Sequence, residues 1–292
     1  VNIQKEMLMG AEYELLHSYG SNPSIQRNEA AKIASGKWLY FLDNDSVVDQ
    51  LTIQNFLLAE KKYNQAVVIG GPSVLPTPSS EWQKAVQLVF SSDFGIGPLK
   101  SRYYSNGNLR VSNEKELILC NMAIKKEIFL KMNGFNENLF PNEENEFLAR
   151  IKNFGEIIYN PQQIVYREHR DNPLSFLEQM IGYGKGRTRN IMYFGEYVDL
   201  VYFLPLGLMI VISISLMAEK LRMIGVVSVG IYSLIVISIS ILYSISFKSL
   251  TFFFKSIMAF IICHTGYAIG LLLGFFDKKT RTREPVKVVK EN

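Results

Sequence analysis

In Gly36-Lys37-Trp38-Leu39-Tyr40-Phe41-Leu42-Asp43-Asn44-Asp45 an unbroken apolar run, Trp38 to Leu42, ends in two carboxylates separated by one residue. Such a run reads as a strand covered on both faces. In open α/β sheets ligands gather beyond the carboxyl ends of strands. Two acids placed there repel each other unless a cation lies between them. A hard cation such as Mg²⁺ takes one or two carboxylates and completes its shell with phosphate oxygens and water. The pair therefore fits a metal–diphosphate site or, more simply, an aspartate capping the helix that follows.

On either side, strand and helix signals alternate. Asn2 to Leu8 reads as the end of a helix, Tyr13 to His17 as a short strand, and Asn28 to Ser35 as a helix stopped by Gly36. Leu51 to Tyr63 has helical spacing, and Ala66 to Ile69 is a strand that ends in the turn Gly70-Gly71-Pro72. This alternation predicts an α/β fold with a mostly parallel sheet. Leu75 to Ser112 reads as a long loop, rich in Pro, Gly, Ser and Tyr and containing Phe94-Gly95-Ile96-Gly97; loops of that length are functional or disordered, and a functional role is favoured here. Leu117 to Cys120 reads as a strand and Lys125 to Met132 as a helix closed by Gly134. A second acidic stretch, Pro141-Asn142-Glu143-Glu144-Asn145-Glu146-Phe147-Leu148-Ala149-Arg150, opens a helix, where acids favour the macrodipole. Short strands at Glu156–Tyr159 and Ile164–Tyr166 precede Arg167-Glu168-His169-Arg170, and Leu174 to Tyr193 is a basic, aromatic helix suited to lipid headgroups.

The remainder changes character. Leu200–Ala218 and Met223–Phe247 carry no charge, and Ser256–Phe276 repeats the pattern. Each is near the roughly 20 residues that cross a bilayer, where buried soluble helices would need about 10–14. The chain of 292 residues thus divides into a soluble domain (1–197), a membrane region of two to three helices (198–276) and a basic tail (277–292). Gly266, Gly270 and Gly274 form a ridge that lets helices approach closely. Three full crossings would put the basic tail on the side opposite the domain, against the positive-inside tendency. Either the third run dips and returns or the tail overrides the rule. A net charge of +4 is too small to imply a nucleic-acid partner. Cys120 and Cys263 lie in apolar settings and read as small hydrophobes, not as a disulfide or a zinc site.

Asn22-Pro23-Ser24-Ile25-Gln26-Arg27-Asn28-Glu29-Ala30-Ala31, the strand and Asp43-Asn44-Asp45 together resemble family 2 glycosyltransferases, closest to the succinoglycan-type membrane enzymes. That resemblance implies a GT-A fold and a membrane-anchored, inverting transfer of sugar from a nucleotide-sugar donor to a saccharide acceptor, plausibly lipid-linked. It implies a Mg²⁺ or Mn²⁺ ion held by Asp45 and Asp43, with Asp43 also toward the ribose and Arg27, His169 and Arg170 on the donor side. In the second motif it makes Glu144 the base, where the family usually has Asp, with Glu143 as the alternative. The site would face the cytoplasm at the cell (plasma) membrane, because sugar nucleotides are cytoplasmic. The family normally places two nucleotide-binding strands before this point, and neither is visible ahead of the motif. The chain therefore reads as N-terminally incomplete, and an inactive membrane-bound remnant or scaffold is the other reading. The Gln-x-x-Arg-Trp pattern of processive synthases is replaced by Gln179-Met180-Ile181-Gly182-Tyr183, so processive polymerisation is not supported.

Overall fold

A computed structural model describes residues 10–194, 199–276 and 285–291. The helix end read at Asn2–Leu8 lies outside the described residues, as does part of the basic tail. In chain order the elements begin with β1 (Leu15–Tyr19), α1 (Pro23–Ile33), β2 (Trp38–Leu42), β3 (Val47–Val48), α2 (Thr52–Lys62), β4 (Ala66–Gly70) and β5 (Ser73–Val74). Then come α3 (Glu81–Ser91), α4 (Asp93–Ile96), β6 (Arg110–Val111), β7 (Asn121–Lys125), α5 (Lys126–Lys131), α6 (Glu143–Ile151), β8 (Glu156–Tyr159) and β9 (Val165–Tyr166). The long helices are α7 (Pro173–Phe194), α8 (Leu204–Met217), α9 (Arg222–Phe247) and α10 (Leu250–Gly274), and β10 (Lys287–Glu291) closes the chain.

Two compact units form. The first takes the described parts of Val1–Pro76, Pro98–Glu168 and Lys279–Asn292; the second takes Thr77–Gly97 and the described parts of His169–Lys278. The segment read as one long loop thus contains a helix of about three turns, α3, that packs on α10. The segment read as a free tail supplies β10, a strand of the first unit.

The central sheet of the first unit has the order β2-β7-β4-β8-β6. Strands β2, β4 and β8 run one way, while β7, between β2 and β4, and β6, beyond β8, run the other. The α/β fold stands, but the sheet is mixed, not mostly parallel. Parallel neighbours require a crossover of a dozen or more residues, usually helical. Here the chain between β4 and β7 passes through β5, the Thr77–Gly97 segment of the second unit and β6, so no direct crossover joins β4 to β7 and β7 enters reversed. Among the described residues β2 pairs only with β7, so the apolar run is an edge strand. It is apolar because both its faces are still covered. Trp38 and Tyr40 meet the ring of Phe56 edge-on at 5.4 and 5.6 Å, and Phe41 meets Phe129 and Phe135, each at 5.4 Å. One face of the sheet packs on α1, α5 and α6 through Ala31, Phe129, Phe147 and Leu148; the other packs on α2 through Phe56 and Ala59.

The strand expected at Leu117–Cys120 begins only at Asn121, because the apolar residues before it form a turn whose Leu117 and Cys120 are nevertheless buried. In the second unit α10 lies against α7. A Cβ at Gly270 would stand 2.3 Å from the carbonyl of Ile181, and Thr188 donates to the carbonyl of Leu271 at 2.8 Å. The glycine ridge is therefore the contact that lets the two helices touch. Three segments, Leu200–Met217, Glu219–Phe247 and Leu250–Gly274, are long and apolar enough to cross a membrane.

Candidate functional site

The carboxyl ends of β2, β4 and β8 share one edge of the sheet, and Asp43 and Asp45 follow β2 there. A β-turn after β2, in which the Ser46 amide donates to the Asp43 carbonyl at 3.0 Å, turns Asp43 and Asp45 out of the strand. Helix α1 is started by Asn22, whose side chain accepts from the amides of Ser24 and Ile25, and by Pro23, which needs no amide partner at that position. The helix delivers Arg27. Its Nη2 donates to Asp43 Oδ1 and its Nη1 to Glu143 Oε1, both at 2.7 Å. The two acidic motifs, 100 residues apart in the chain (143 minus 43), are thus joined by one guanidinium.

A second arginine comes from the end of β9. Arg167 Nη1 lies 3.0 Å from Asp43 Oδ2, and its Nε lies 2.9 Å from Asp45 Oδ1. Asp45 remains 53% exposed at its side chain, whereas Glu143 is 2% exposed. Three carboxyl groups face two guanidiniums, and the exposed one, Asp45, is the one that a divalent ion would reach first. Among the described residues no third Asp, Glu, His or Cys joins the pair to make a protein-only metal cage. Two hard oxygen donors on an open edge fit an ion of the Mg²⁺ type, which takes its remaining ligands from phosphate and water.

Helix α6 opens with Glu143 and Glu144 after Asn142, whose φ of 87° is left-handed, a conformation Asn tolerates. Burial raises the carboxyl of Glu143 to about 7; the adjacent charge of Glu144 pushes the same way and Arg27 pulls against both. Glu144 lies 3.4 Å from Arg102 Nη1, and Arg102 also donates to the carbonyls of Glu114 and Lys115 at 2.6 and 2.9 Å. The later residues of the motif hold the helix. Glu146 is buried and pairs with Arg150, whose Nη2 also donates to the Gly134 carbonyl at 2.7 Å.

Beneath the edge, a polar network sets the loop after β4. Asn121 donates to the Pro72 carbonyl at 2.9 Å, and Gln163 donates to the Tyr40 hydroxyl at 2.9 Å. Gly71 is required there: a Cβ would stand 2.1 Å from the Gln163 carbonyl. The structure therefore brings together Arg27, Asp43, Asp45 and Glu143; Glu144, next to Glu143 in the chain, pairs with Arg102 instead. His169 and Arg170 fall in the second unit, where the His169 ring meets the Gln87 side chain at 2.7 Å and Phe90 at 5.2 Å.

Residues 14–132 match the family model described as Glycosyl transferase family 2. The glycosyltransferase match spans less than half of the chain, and Arg27, Asp43 and Asp45 lie within it; Glu143, Glu144 and Arg167 lie beyond it. Among solved structures the chain is similar to the crystal structure of S. aureus TarS 1-349 in complex with UDP, at 12% identity and a TM-score of 0.36, over 89% of this chain and 73% of that one. No curated protein matches. Sequence reasoning missed Arg167 as a partner of the acid pair and Arg102 altogether. Arg167 stood in a conspicuous basic run, whereas nothing local distinguishes the buried Arg102 from a surface arginine.

Proposed function

We propose that this chain is a membrane-anchored, inverting glycosyltransferase of the succinoglycan type, moving a sugar from a nucleotide-sugar donor to a saccharide acceptor carried on a lipid. The observation that carries this reading is the Arg27 bridge, which ties Asp43 of the first acidic motif to Glu143 of the second. Asp45 and Asp43 would hold Mg²⁺ or Mn²⁺, whose charge would balance the donor diphosphate. Arg27 and Arg167 orient the acids and present donors to an anion arriving at the same edge. Glu144 accepts the proton of the acceptor hydroxyl as that oxygen attacks the anomeric carbon in line, the bond from that carbon to the diphosphate oxygen breaks and nucleoside diphosphate leaves, and Glu143, held by Arg27, fixes the turn of α6 that carries Glu144. The catalytic unit faces the cytoplasm at the cell membrane.

The test uses membranes containing the protein, a panel of sugar nucleotides and Mn²⁺, with release of nucleoside diphosphate as readout. One sugar nucleotide is consumed by the native protein, and Asp45→Asn abolishes that consumption. Undiminished release by Asp45→Asn contradicts the reading.

A further inference from the structure

The three apolar segments do not have the same surroundings. In the windows at Leu200–Met217 and Glu219–Phe247 17% of residues are buried, against 44% at Leu250–Gly274. Helix α10 also carries Lys255 and His264, and both are engaged. Lys255 reaches Glu81 Oε2 at 2.8 Å, and the His264 ring meets the Tyr232 hydroxyl at 3.0 Å. The exposed large apolar residues within α10 are Leu250, Phe254, Met258, Ile261, Ile269, Leu272 and Leu273. At 100° per residue these fall within one stripe about 140° wide. His264 lies off that stripe and Lys255 at its edge. One of the partners on the other sides of α10 is α3, whose Glu81, Gln83, Lys84 and Gln87 are polar side chains costly to place in a bilayer core.

Short polar stretches of chain connect both ends of α10 to the first unit, at the amino end by way of α3. At its amino end the hydroxyls of Ser249 and Thr251 and the ammonium of Lys255 converge on the carboxylate of Glu81. Glu81 opens α3 only seven residues after β5 of the first unit, and the stretch between them, Leu75-Pro76-Thr77-Pro78-Ser79-Ser80, is too short and too polar to cross a bilayer. At its carboxyl end the chain continues through Asp277, Lys278, Lys279, Arg281, Arg283 and Glu284, charges that exclude a lipid path. It then enters β10, which pairs antiparallel with β1 over Leu15↔Glu291 to Tyr19↔Lys287. Lys290 adds an ion pair to Glu14 at 2.6 Å, and His17 lies 3.2 Å from Glu291.

We infer that α10 does not cross the membrane but lies at its surface on the catalytic side, with its stripe toward the lipid and the carboxyl-terminal strand returned to the catalytic unit. Crossings in this chain then come in even number. Leu200–Met217 and Glu219–Phe247 cross together or not at all. The basic tail lies on the same side as the catalytic unit, which removes the conflict with positive charge placement that three crossings create.

The test is accessibility and depth in cells and membranes, neither of which depends on transfer activity. In a Cys120→Ser/Cys263→Ser background, Lys287→Cys in β10 and Lys61→Cys in α2 are labelled with a membrane-impermeant maleimide, before and after lysis. Equal protection of the two sites before lysis, and equal labelling after it, is expected. Labelling of one site alone in intact cells overturns the inference. Where that background fails to fold, fluorescent and alkaline phosphatase reporters fused after Asn292 and within the loop after α2 answer the same question, and reporters placed on opposite sides overturn it. Spin labels at Phe254, Ile261 and Leu272 then report depth. Similar shallow depths are expected, whereas a profile deepest at Ile261 and shallow at both ends, or no lipid contact at any of the three, overturns it.

Discussion

Glu143 and Arg27 form an ion pair at 2.7 Å in which the carboxylate is almost fully buried and the guanidinium is shared with Asp43. The shared guanidinium makes the two acidic motifs electrically dependent on one another. Arg27→Met leaves a buried carboxyl without its counter-charge. Breaking such a pair costs about 3–5 kcal/mol unless the acid takes up a proton. Glu143 in that variant is therefore expected to stay protonated to higher pH than in the native chain. The protonated-carboxyl band in infrared spectra, assigned by its loss in Glu143→Gln, checks this. A band that titrates at the same pH in both proteins contradicts it.

The same carboxyl sets a pH dependence of stability. Its ordinary value is 4.5 and burial lifts it to about 7 in the fold. The folded state thus binds the proton more tightly than the unfolded one. Its contribution to stability is complete below about 4.5 and is lost as pH rises through about 7. Thermal unfolding of the native protein from pH 5 to 8 should show a declining component that Glu143→Gln lacks. Parallel slopes for the two proteins would remove the assignment.

Arg167 occupies the acids that a divalent ion would use. Arg167→Met is expected to tighten Mn²⁺ binding in the absence of donor by about fivefold, the equivalent of about 1 kcal/mol for its partly exposed pairing with Asp43 and Asp45. In the presence of donor the same variant is expected to transfer more slowly, because a cation facing the diphosphate is gone. Mn²⁺ titration followed by electron paramagnetic resonance gives the first quantity. Weaker metal binding in Arg167→Met would show that the arginine supports the site instead of competing within it.

In the second unit, Gly270→Val inserts a side chain where a Cβ already meets the Ile181 carbonyl and the Gly184 Cα at 2.9 Å. Two backbones must separate, and overpacking of this kind costs about 1–3 kcal/mol. The variant should lower the thermal midpoint in detergent while Gly230→Val, at a glycine with no neighbour within 4 Å, should not. Equal midpoints for the two variants would show that α7 and α10 do not depend on this contact.

Much of the site was legible because its signals are local. Trp38–Leu42 followed by Asp43 and Asp45, and Glu143–Arg150 as a helix start, are patterns of neighbouring residues, and both stand where they were read. Helix α3 was legible and overlooked: Ser80 and Gln83 form a capping box, and Trp82, Ala85, Val86, Val89 and Phe90 recur at helical spacing. The surrounding Pro, Gly and Ser residues disguised it as loop. The reversed direction of β7, the edge position of β2 and the pairing of β10 with β1 depend on residues far apart in the chain. Lys-Val-Val-Lys-Glu reads as a charged tail until a partner strand is known. Arg102 and Arg167 belong to the same class, since an arginine's partner is not written beside it.

The most direct test of the account compares Glu144→Gln and Glu143→Gln in membranes that retain their own lipid acceptors, with donor binding and sugar transfer measured on the same preparation. General-base removal costs about a hundredfold or more in rate. The account predicts that Glu144→Gln binds donor as the native protein does but loses transfer by at least that factor, while Glu143→Gln loses less. Transfer at the native rate by both variants would contradict it, leaving the start of α6 as a charged helix cap and the carboxyl edge of the sheet without its base.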